Sequence, residues 1–143
     1  MHETATAAPA VAVPPGLLGY THWIYGLHAL SVLTGLTTSA SVAGRFVFGL
    51  PSIIAVIMNY ARRQEARGSF LESHFAWQIR TFWYAFLALL LILLVSAPLI
   101  LIVGLGVLTA MAGFGIVGLW VIYRVARGWL ALRDRRRMPL RLA

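Results

Sequence analysis

The side chains in this sequence best suited to metal, haem or proton chemistry are four histidines: His2, His22, His28 and His74. His22 and His28 are six residues apart, so one helix would point them to roughly opposite faces, and they could not share an ion. Pairing His28 with His74 across helices would need His74 at membrane depth, where its sequence context does not place it. The four carboxylates, Glu3, Glu65, Glu72 and Asp134, are scattered. None falls inside an apolar run, which disfavours a proton-coupled pump. They also form no cluster for acid–base or two-metal hydrolysis. Cysteine is absent, which excludes thiolate catalysis and disulfides. Gly113-Phe114-Gly115-Ile116-Val117-Gly118 matches the dinucleotide-binding spacing literally. That fingerprint works only between a strand and a helix, and here it sits within an apolar helical run. The residues predict neither an enzyme nor a cofactor.

The densest polar stretch is Ser73 to Trp83, with Asn59 and Tyr60 expected nearby. Within it, His74, Trp77, Gln78, Arg80 and Trp83, together with Asn59, are the candidate contacts to a lipid headgroup or a protein partner. A plainer reading is an interface belt in which Arg80 reaches out to phosphates. A second set of candidates is small. Ser31 and Gly35 are four apart, and Gly106, Ala110 and Gly113 share a helical face. Small residues in such stripes let helices approach closely in a membrane.

The elements that would carry these residues follow from composition. Hydrophobic residues make up 60% of the 143 residues and charged residues 11%, with a mean hydropathy of +0.82. A soluble domain carries about 25% charged residues. The apolar runs have membrane-spanning length, roughly 20 residues each. The sequence therefore predicts an all-α integral membrane bundle of about four transmembrane helices. The first spans about Leu17 to Thr38, and an external turn covers Thr37 to Gly44. The second apolar run, Phe46 to Tyr60, is short for a complete crossing, and either a helix starts at Pro51 or a longer one kinks there. The second helix leaves the membrane through Tyr60 to Arg67 and ends at Gly68. Ser69 and Glu72 have capping-box spacing. They open an interfacial amphipathic helix between the second and third crossings that feeds directly into the third, with Leu71, Phe75, Ile79 and Phe82 on one stripe. The third crossing runs near Arg80 to Ala97, the reversal lies at Pro98 and Gly104, and the fourth runs to Tyr123.

All 12 basic residues are arginine, and the net charge is +8. In a soluble protein this would point to nucleic acid. Here the arginines flank apolar runs, so they read as topology signals and nucleic acid is not an expected partner. Arg62, Arg63, Arg67 and Arg80 lie in one loop, and Arg124 to Arg141 lie in the tail. Two crossings separate these groups, so both occupy the cytoplasmic side, and four crossings place the N-terminus there too. The domain reading is a disordered Ala/Pro arm at 1–16, without the basic start of a signal peptide. A transmembrane domain at 17–130 and an Arg-rich cytoplasmic tail at 131–143 follow.

Several blocks resemble a family of uncharacterised bacterial membrane proteins. They are His28-Ala29-Leu30-Ser31, Gly49 to Ile57, Asn59-Tyr60 with Arg63, Arg67-Gly68, Glu72 to Phe75, Trp77 to Trp83, Tyr123-Arg124, Arg127-Gly128-Trp129 and Leu132-x-Asp134. That family is distantly similar to the chloroplast inner-envelope import component of the Tic complex. The resemblance covers about Tyr20 to Met138 and implies a four-helix membrane fold. Together these readings lead to a non-enzymatic inner-membrane accessory or assembly component. Its expected partners are membrane lipids and either another protein or further copies of itself. Two alternatives stand beside it: a Tic-like conduit or transporter component, and a haem- or quinone-linked redox subunit using His22, His28 or His74.

Overall fold

Each apolar run of the sequence forms an α-helix, the form that satisfies backbone donors and acceptors within one segment. The computed structural model describes residues 11–37, 42–100, 102 and 104–139. Helix α1 is Leu17–Thr37, α2 is Val42–Arg62, α3 is Leu71–Leu99 and α4 is Leu105–Arg133. No strand occurs among the described residues. Two helices, α3 and α4, are long and apolar enough to cross a bilayer. Helices α1 and α2 have 21 residues each, but Thr21, His22, His28 and Ser31 interrupt the first, and Arg45 and Asn59 the second.

The helices pair as two hairpins, α1 with α2 and α3 with α4, and α1 also packs against α4. The α3–α4 hairpin closes tightly because Gly106 has no side chain. A Cβ there would overlap the Ser96 carbonyl and the Ile100 backbone nitrogen. The Gly113 position meets Ile92, and Ser96 and Thr109 join their hydroxyls at 3.2 Å. Gly106 and Gly113 are thus occupied within the chain. Gly35, in contrast, borders open space.

Several sequence expectations need correction. Helix α2 runs through Pro51 from Val42 to Arg62, so it is neither short nor started by the proline. A proline in mid-helix forgoes one backbone bond without ending the helix. The external turn is shorter than 37–44, since α1 reaches Thr37 and α2 begins at Val42; residues 38–41 lie outside the described residues. Gly68 takes the left-handed φ of 77°, but α2 has already ended at Arg62, and turns fill the interval. The amphipathic segment feeds directly into the third helix, as its sequence implies. Nothing between Gly68 and Pro98 breaks a helix, so it forms the first half of α3, with Leu71, Phe75 and Ile79 buried in the bundle. The capping interactions are shifted by one residue: Leu71 N–H donates to Ser69 Oγ at 3.2 Å, and Gly68 N–H to Glu72 Oε2 at 2.9 Å. Helix α4 extends ten residues past Tyr123, because Arg124 to Arg133 contains no helix breaker stronger than Gly128.

The core sits at one end of the molecule. Leu17, Ile24 and Tyr25 from α1 meet Ala55 of α2, Leu71 and Phe75 of α3, and Val125 and Leu132 of α4. Val13 of the N-terminal arm packs on this cluster, so the arm is ordered against the bundle from at least that point.

Candidate functional site

The same end gathers the polar side chains. Starting α3 just after Gly68 puts Ser73, His74, Trp77, Gln78 and Thr81 on its inward side, and all five are buried. Running α4 through to Arg133 brings Arg124 and Gly128 alongside them. Tyr25 reaches in from α1. Its ring fits because position 128 is glycine, where a Cβ would stand 2.5 Å from the tyrosine oxygen.

The hydrogen bonds tie three helices and the tail together. His74 Nδ1 meets the Tyr25 hydroxyl at 3.0 Å, and His74 Nε2 meets the Arg136 carbonyl at 2.8 Å. A carbonyl only accepts, so Nε2 carries the proton and Nδ1 accepts from the tyrosine. Trp77 Nε1 donates to the Arg124 carbonyl at 3.1 Å. The Arg124 guanidinium in turn lies 3.6 Å above the Trp77 ring, and its Nε donates to Thr81 Oγ1 at 2.8 Å. This buried cation has no carboxylate partner among the described residues. Its charge rests on two indole faces, those of Trp77 and Trp120, and on a hydroxyl. The tail closes the site: Met138 N–H donates to Ser73 Oγ at 2.9 Å, and Arg80 Nη2 to the Pro139 carbonyl at 2.9 Å.

The predicted contact residues therefore separate. His74, Trp77, Gln78 and Asn59 are turned inward, with at most 2% of their surface exposed, so they do not present a surface to lipid. His74 and Trp77 find backbone partners across the bundle, Asn59 Nδ2 donates to the Ala55 carbonyl within its own helix at 3.2 Å, and the buried Gln78 amide and Asn59 Oδ1 have no hydrogen-bond partner among the described residues. Arg80 is half-buried under the tail, and Trp83 is exposed with its Nε1 donating to Tyr60 at 3.1 Å. His22 accepts from Trp129 Nε1 at 2.9 Å, and His28 Nδ1 meets Ser52 Oγ at 3.2 Å. His22, His28 and His74 thus each bond to other groups and not to one another, and His2 lies outside the described residues. Among the described residues no group of three His, Cys, Asp or Glu side chains could hold a metal ion.

Sequence reasoning missed Tyr25, Thr81, Arg124 and Gly128. Arg124 looks like one more topology charge, and Tyr25 like a headgroup-level ring. The available signal was Gly128 between Arg127 and Trp129, a gap in an otherwise bulky helix end. A gap in one sequence does not name the ring that fills it.

No protein-family model, curated protein or solved structure matches this chain. The fold itself defines an all-helical protein with two helices apolar enough to span a membrane.

Proposed function

We propose that the chain is a polytopic protein of a bacterial inner membrane, with four crossings and both termini in the cytoplasm. It acts as a non-enzymatic accessory or assembly component, by association with a membrane complex or with further copies of itself. One observation carries the membrane reading. The middle of α3 and α4 is bare apolar surface: Leu94 is 64% exposed, Leu108 65% and Ile116 69%. A soluble monomer rarely leaves so continuous an apolar face to water.

Length supports the four-crossing form. A 21-residue helix such as α1 or α2 rises about 31 Å, close to the roughly 30 Å hydrocarbon core. Helices α3 and α4, of 29 residues each, exceed that span by about 13 Å. Their excess lies at the end that carries the arginines, where water is available. The resemblance to the uncharacterised bacterial family supports the same arrangement. The association reading rests on the open face at Gly35.

Alkaline extraction of native membranes followed by in-membrane cross-linking tests both parts. The chain is expected to resist extraction and to yield a defined higher-mass product. Release by alkali overturns the membrane reading, and cross-linking that returns only monomer overturns association.

A further inference from the structure

The end of α4 and the returning tail enclose a surface cavity of about 460 Å³, within the roughly 300–1,000 Å³ of ordinary ligand sites. Its wall combines two chemistries. Arg127, Arg136, Arg137 and Tyr123 line it on one hand, and Leu130 and Ala131 on the other. The charge there is largely uncompensated. Asp134 is engaged by Arg136 at 2.7 Å and approached by Arg133 at 3.6 Å. Among the described residues, Arg127 and Arg137 have no carboxylate partner. Arg127 Nη1 donates to the Tyr123 hydroxyl at 3.2 Å, and Arg137 Nη2 to the Gly68 carbonyl at 3.5 Å. Each guanidinium keeps further donors for an anion.

We propose that this cavity binds the phosphate headgroup of an anionic phospholipid from the cytoplasmic leaflet. The inference rests on the membrane reading above and adds a site and a lipid class to it. Planar guanidinium forks match phosphate oxygens, and three arginines line this one cavity. The α4 surface leading away from it is apolar and helically in line: Ile116, Leu119 and Tyr123 are all exposed, and Leu130 continues the stripe. An acyl chain lies along that stripe while the headgroup stays at the arginines. A zwitterionic headgroup brings its own cation into the same field and is disfavoured. A soluble anion uses the arginines but leaves the stripe unused.

The test uses the full chain, purified in mild detergent with equal phosphatidylglycerol and phosphatidylcholine and read by native mass spectrometry. The wild type is expected to retain phosphatidylglycerol selectively. The double variant Arg127→Gln/Arg137→Gln is expected to lose at least about tenfold of that preference. Arg133→Gln/Arg135→Gln removes the same charge outside the cavity and is expected to keep it. Ala126→Trp fills the cavity, changes no charge, and is expected to release the lipid. Equal losses in the two arginine pairs would show diffuse attraction and overturn the site, as would retention in Ala126→Trp. Inorganic phosphate is expected not to displace the lipid at equal concentration; displacement would assign the site to a free anion. A chain that resists alkaline extraction but shows no lipid preference overturns the site alone. A chain that alkali releases overturns the membrane reading itself.

Discussion

The α3–α4 hairpin has two ends built of different materials. Where α3 begins and α4 finishes, His74, Trp77 and Arg124 are buried and every helix of the bundle contributes to one core. Toward the reversal at Gly104, the same two helices expose Leu91, Leu94, Leu108 and Met111, and few side chains other than Ile92, Ser96 and Thr109 bind them together. On the membrane reading proposed above, the difference follows from the solvent each end meets. An end in water must bury its own apolar surface and satisfy its own polar atoms. An end in hydrocarbon has its side chains solvated by lipid and needs only the helical backbone and a close glycine contact.

Substitutions that break this contrast should act mainly at the polar end. Trp77→Ala removes the ring under Arg124 and the donor to its carbonyl. It is expected to cost about 3–5 kcal/mol, read as a large drop in the thermal midpoint in detergent. Gly128→Ala forces a methyl against Tyr25 and is expected to cost about 1–3 kcal/mol. Tyr25→Phe leaves His74 Nδ1 without its donor, at about 1–2 kcal/mol by the same melting measurement. At the apolar end, Gly115→Ala enters open space, and Leu94→Ala trims a side chain that is 64% exposed. Both should stay within about 0.5 kcal/mol of wild type. If Leu94→Ala matched Trp77→Ala, the two ends would not differ as described.

Much of the scaffold was legible in the residues. The start of α1 at Leu17, the reversal between Pro98 and Gly104, and the inward stripe Leu71–Phe75–Ile79 follow from apolar length, helix breakers and helical period. The site was only partly legible. The sequence singled out His74, Trp77, Gln78 and Asn59, but as a surface; their burial depends on Tyr25 and Arg124, which lie 49 and 47 residues away from their respective partners. Pairings of that kind are set by which helix packs on which, and no local pattern encodes it. The sequence marks the tail only as Arg-rich. Its backbone bonds to Ser73, His74 and Arg80 make it a lid on the core, because an irregular strand of chain must find partners for its carbonyls and amides.

The central claim is that the hairpins cross a bilayer with the polar end in the cytoplasm. Because the chain has no cysteine of its own, single-cysteine labelling tests it without background. Ser39→Cys, Arg67→Cys and Arg133→Cys would each be exposed to a membrane-impermeant maleimide in intact spheroplasts and again after lysis. The account predicts that Ser39→Cys labels in intact spheroplasts, while Arg67→Cys and Arg133→Cys label only after lysis. Labelling of Arg67→Cys or Arg133→Cys from outside would contradict it.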